Sequence, residues 1–176
     1  VSGVASCRWV RPILTISLKA SDLVASVSRS VASAGSRCVA IAPAAATTDN
    51  TAWVSSIIDC QGYDEVTLAV VSGTFSDADM TTTVLLEEGD VSNLSDAAAV
   101  ADADMVSMTN GTAPEAAAAF TFADDGETRV IGYTGTKRYI RLTITPANNT
   151  GNVFFGGVAI LAGKVPAVSQ LAPSAS

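Results

Sequence analysis

The sequence predicts an all-β protein: an antiparallel β-sandwich, with the jelly roll as one form it can take, preceded by an irregular N-terminal arm. Three observations carry that expectation. Apolar and polar residues alternate with period two in several short runs, most clearly over residues 139–145. Turn-forming residues separate the runs at the spacing of a sandwich or barrel. Few helical periods compete with them.

Taken in order, residues 1–37 form the arm. They are rich in Ser, Ala, Val and Arg and sustain neither a helical nor a strand period, as in a solvated or partner-bound segment. A short helix over residues 21–30 is the alternative there. The apolar stretch 13–18, six residues including Thr15 and Ser17, ends at Lys19, too short for a secretory signal. From residue 38 to 163 the pattern is β, and residues 164–176 are a tail. Residues 38–42 and 52–58 are apolar runs separated by Pro43 and the turn-prone Thr48, Asp49 and Asn50. Val66, Leu68 and Val70 alternate with Thr67, Ala69 and Val71 up to Gly73, and Thr82, Val84 and Leu86 alternate in the next run. Residues 118–122 and 128–133 add two strands, and residues 153–161 close the set, with Gly156 and Gly157 marking a bulge. The count is about eight strands. Residues 96–103 suggest a short helix capped by Ser95. The expected core is Val66, Leu68, Val84, Leu86, Ile140, Leu142, Ile144 and Val158.

At 176 residues the chain suits one well-buried domain. Charged residues make up 15%, below the roughly 25% of soluble domains. A surface of Ala, Thr and Ser with so few charges suits a protein packed against partners. The charges are also sorted. Residues 38–128 hold 16 acidic side chains and no Lys or Arg, whereas residues 129–176 hold five basic side chains and no acid. The two blocks can pair within one fold or between neighbouring subunits. The acidic balance beyond residue 40 argues against nucleic acid as the main partner. No apolar run is long enough to span a membrane. Cys7, Cys38 and Cys60 lack metal-type spacing and read as thiols in a reducing cytoplasm.

The chain has no histidine, which removes the usual base of nucleophilic catalysis, and it has no Gly-x-Ser-x-Gly elbow or P-loop. The expectation is a non-enzymatic protein without cofactor or metal. Asp77/Asp79, Asp102/Asp104 and Asp124/Asp125/Glu127 are oxygen donors of the kind calcium takes; the alternative is that they fill solvated turns. Segments 76–80 and 101–105 echo each other as Asp-Ala-Asp-Met loops leading into strands. The candidate interface is the basic cluster Arg129, Lys137, Arg138 and Arg141 with Tyr139, matched by the acidic loop Glu87, Glu88 and Asp90. It reads either as a docking surface for a neighbour or as pairing between adjacent strands. Gly135 reads as the residue that permits a tight hairpin turn within it.

Four stretches, NTAWVSSIIDCQG (50–62), GTFSDAD (73–79), LEEGDVSNLSDAAAV (86–100) and IGYTGTKRYIRLTITPANNTG (131–151), resemble a family of small head proteins of tailed bacteriophages. Proteins of that family are encoded beside the major capsid protein and act as decoration, or cement, proteins. The resemblance covers about residues 38–163 and carries no mechanistic motif. It implies a β-rich structural virion protein on the capsid exterior, assembled in the host cytoplasm. Its partners would be the major capsid protein and further copies of itself, a trimer among the options. A virion-displayed receptor- or glycan-binding module is the alternative function.

Overall fold

The computed structural model describes residues 4–5, 36–107 and 113–163. Its strands are β1 (Val4–Ala5), β2 (Ser36–Ile41), β3 (Trp53–Val54), β4 (Ile57–Asp59), β5 (Glu65–Ser72), β6 (Thr81–Gly89), β7 (Ala98–Ala99), β8 (Met105–Ser107), β9 (Thr128–Tyr133), β10 (Tyr139–Ala147) and β11 (Phe155–Ala162). A 3₁₀ turn (Asp102–Asp104) and one helical turn, α1 (Pro114–Ala117), interrupt them. The first sheet runs β1-β4-β10-β6-β7, with β3 also on β10, and the second runs β2-β11-β5-β9-β8.

That order is a jelly roll. The chain folds as one long antiparallel hairpin in which β2 pairs β11, β4 pairs β10, β5 pairs β9 and β6 pairs β7. Successive pairs go to alternate sheets, and the β11–β5 and β10–β6 ladders complete each sheet. Residues 164–176, the suggested helix at 21–30 and Cys7 lie outside the described residues. Val4–Ala5 adds a short parallel strand to β4, and β2 begins at Ser36, two residues before the expected boundary.

Alternation puts Val66, Leu68, Val70, Leu86, Ile140, Leu142 and Ile144 between the sheets. Trp53, Phe75, Phe120 and Phe155 stack at one end, with ring centroids 5.2–6.4 Å apart. Most of the chain's scarce aromatic mass therefore serves the core.

Four expectations are corrected. Val158 is 44% exposed, because Phe155, Gly157, Ala159 and Leu161 form the inward row of β11. The strand parity is the reverse of the one assumed. The bulge itself is present: the β2–β11 register shifts between Gly157 and Val158. Residues 118–122 are not a strand. Pro114 opens a helical turn, after which Phe120 N–H donates to Thr82 Oγ1 at 2.7 Å and Thr82 Oγ1–H returns a bond to Phe120 O at 3.1 Å. Residues 96–103 are not a helix. The Asp96 carboxylate accepts the backbone N–H groups of Asp90 and Val91, and Ala98–Ala99 pairs with β6. Gly135 makes no hairpin turn, since β9 and β10 lie in opposite sheets. Its missing side chain makes room for the Tyr133 ring, which a Cβ would meet at 2.5–2.6 Å.

The apolar run 52–58 splits where Ser55 stands in for a ladder residue. Ser55 N–H donates to Leu142 O at 2.8 Å, and Leu142 N–H donates back to Ser55 Oγ at 2.9 Å. β3 thus ends and β4 restarts without leaving the backbone of β10 unpaired.

Candidate interaction surfaces

The jelly-roll ladders decide which charges meet. Arg141 and Glu87 stand directly opposite on β10 and β6, with Nε and Nη2 of Arg141 donating to Glu87 Oε2 at 3.0 and 2.8 Å. Arg138 grips Asp59 of β4 with two parallel bonds, at 3.0 and 2.8 Å. Its guanidinium also lies 5.0 Å from the Tyr139 ring centroid. Lys137 Nζ reaches Asp90 at 2.6 Å. Arg129 Nη2 reaches Asp124 at 2.5 Å and lies over the Phe120 ring.

Tyr133 joins the two sheets at this end. Its hydroxyl donates to Glu88 Oε2 at 2.6 Å and accepts the Lys137 N–H at 2.9 Å. Burial, and then the Glu88 carboxylate, push that phenol well above its ordinary value. The Arg138 hydrogen bond holds the Asp59 carboxyl below the usual range, and the Lys137 bond does the same for Asp90. Burial raises Asp124, but hydrogen bonds from Thr121 and the charge of Arg129 bring it below normal.

Every residue of the expected basic and acidic clusters thus engages a partner inside the chain. Arg129, Lys137, Arg138 and Arg141 are ion-paired, and the adjacent-strand reading describes the Arg141–Glu87 pair. Tyr139 belongs to no open surface. It is 7% exposed and packs with Ile57 and Leu94 in a small second core. Sequence reasoning missed Asp59, Asp124 and Tyr133 as partners. Asp59 lies 79 positions from Arg138, and only the β4–β10 pairing brings them together.

The acidic loops tie down backbone. Asp77 Oδ2 accepts both N–H and Oγ1–H of Thr150, at 2.6 and 2.7 Å, and Asp125 accepts the Phe75 N–H at 2.7 Å. The Thr150 hydrogen bonds hold Asp77 low, while its neighbour Asp79 is raised by Asp77. Among the described residues, no three acidic or thiol groups gather in a way that could hold a metal. Both Asp-Ala-Asp-Met echoes end in a buried methionine, Met80 and Met105, at a strand entrance.

The outer face of the second sheet carries a different chemistry. One row across it reads Arg37, Ile160, Thr67, Gly132 and Val106; the next reads Val39, Val158, Ala69 and Val130; a third adds Gly156, Val71 and Thr128. Val39, Val71, Val106 and Val158 are 53, 48, 55 and 44% exposed. Gly132 leaves a groove of about 280 Å³ between Thr67, Val130 and Val106. Charged residues stand on it as well: Arg37 in the first row and Glu65 at the start of β5.

Among the described residues, no helix is long and apolar enough to cross a membrane. Compared with protein-family models and with curated proteins, the chain matches none.

Proposed function

We propose that this chain is a structural virion protein that decorates and stabilises the icosahedral capsid of a tailed bacteriophage by binding the major capsid protein. One observation carries the reading: the cations of the acidic-and-basic end are paired internally, while the second sheet turns a broad valine face to the outside. A contiguous apolar face of this kind marks protein contact. The similarity of residues 38–163 to phage head proteins supplies the setting, on the capsid exterior after assembly in the host cytoplasm. A shell lattice multiplies modest contacts by symmetry, so small individual interfaces suffice.

The test is addition of the purified chain to undecorated heads. Saturable, stoichiometric binding that raises the temperature at which heads rupture supports the reading; no binding to intact heads refutes it. A displayed glycan-binding module is the second reading. It has in its favour a polar cleft of about 500 Å³ between Gln61, Tyr63, Thr134 and Thr136. Glycan-array binding by the isolated chain would favour it.

A further inference from the structure

We infer that the Gly132 groove on the second sheet receives a lysine or arginine side chain of the major capsid protein, with the stem in the groove and the cation at Glu65. The inference rests on the decoration reading and names the chemistry of the partner at this contact.

Strand register builds the groove. Thr67, Gly132 and Val106 stand side by side on β5, β9 and β8. Gly132 leaves the middle position empty, and a Cβ there would meet Val106 Cβ at 3.1 Å. The resulting slot follows β9 from Val130 past Gly132 to Thr134, with Val106 on one side and Thr67 and Glu65 on the other. Its two ends differ. Val130 and Val106 make one end apolar, whereas Thr134 and Glu65 make the other polar. Two residues of strand span about 6.7 Å, comparable to the four-carbon stem of a lysine. Long cationic side chains lay their stems on apolar surface and keep the charge at a polar margin, which is the gradient this slot offers.

Charge assigns the occupant. Glu65 is exposed, and among the described residues it enters none of the ion pairs. The turn carrying Asp102 and Asp104 joins the same end, where Thr134 N–H donates to Asp104 O at 2.9 Å. Residues 38–163 hold 16 acidic groups against four basic ones, so a basic partner surface is drawn toward this chain. Those four, Arg129, Lys137, Arg138 and Arg141, are each held by an acid of their own chain. A second copy has none of them to lend, and the cation is therefore assigned to the capsid protein. Val106 and Val130 belong both to the groove and to the valine face, so one partner surface covers the two.

Two measurements test this. Binding to purified heads is compared for the parent chain, Glu65→Gln and Asp79→Asn. The last removes the same charge from the loop at the other end of β5. Glu65→Gln is expected to weaken binding about fivefold and to reduce its salt dependence, with Asp79→Asn matching the parent. In parallel, amide NMR of the free chain follows titration with the peptide acetyl-Ala-Lys-Ala-amide and with its norleucine counterpart, which keeps the stem and lacks the charge. The lysine peptide is expected to shift Thr67, Val106, Gly132 and Thr134 with an affinity on the order of millimolar, and Glu65→Gln to remove most of that response. Equal shifts with both peptides, or head binding indifferent to Glu65→Gln, would overturn the inference and leave decoration standing. Groove signals that move with chain concentration alone, or with Lys164→Gln in the free chain, would give the groove to a second copy or to the chain's own tail and overturn it as well. A chain that ignores heads yet answers the lysine peptide alone would remove the decoration reading and leave the groove's preference for a cation.

Discussion

The first sheet turns outward a surface on which Arg141 faces Glu87, Thr143 faces Leu85 and Thr145 faces Thr83; the second turns outward Val39, Val158, Val71 and Val106. Both are products of the same period-two alternation, and both are exposed. They differ in how exposure is managed. On the first sheet and its rim, each cation is answered by an acid of the same chain, so the surface neither attracts nor needs a charged neighbour. On the second, among the described residues, Arg37, Thr67 and Thr128 are the polar side chains in rows made mostly of valine, alanine and glycine, and on the proposed reading a protein neighbour shields that face. The sorted charge blocks of the sequence therefore pair within one molecule, and the proposed contact between molecules falls to the less charged side.

The comparison can be strained from either side. The largest expected effect is at Gly135. Gly135→Ala drives a methyl into the Tyr133 ring and costs about 2–3 kcal/mol by overpacking, read as a lower denaturant midpoint. Tyr133→Phe comes next, since it strands the Glu88 carboxylate and the Lys137 N–H; a loss of about 1–2 kcal/mol is expected in the same measurement. Glu87→Ala leaves a half-buried Arg141 without its acid, for a cost of about 1 kcal/mol. Val71→Glu, on the other face, changes chain stability by no more than about 0.5 kcal/mol.

Titration separates the faces again. Asp59, Asp90 and Asp96 lie below their ordinary 3.8 in the folded chain. Their stabilisation is complete above that value and is lost as pH falls through their lowered folded values. Tyr133 is raised above 10.0, so its contribution is intact below pH 10 and is lost as pH climbs past it. Urea midpoints across pH should fall at both extremes, and Tyr133→Phe should flatten the alkaline limb alone. An unchanged alkaline limb in that variant would remove Tyr133 from the account.

Local pattern revealed much of this. Residues 128–133 form β9 with the expected bounds, and the alternation at 139–145 lies within β10, because half-buried strands print their period directly on the sequence. The failures share a cause. Asp96 resembles a first-turn helix acid, yet its carboxylate is used by the backbone of Asp90 and Val91. Val158 resembles core, yet parity in β11 is set by Phe155 and Leu161. Arg138 resembles a docking cation, yet its partner Asp59 arrives through a strand pairing that no local window contains. Side-chain capture of backbone and long-range register are properties of the closed sandwich.

Occupancy of two variants on purified heads tests the division between the faces most directly. Val71→Glu on the second sheet should reduce bound copies at least about tenfold, whereas Arg138→Gln on the rim of the first should decorate like the parent chain. Full occupancy by Val71→Glu together with loss by Arg138→Gln would contradict the account.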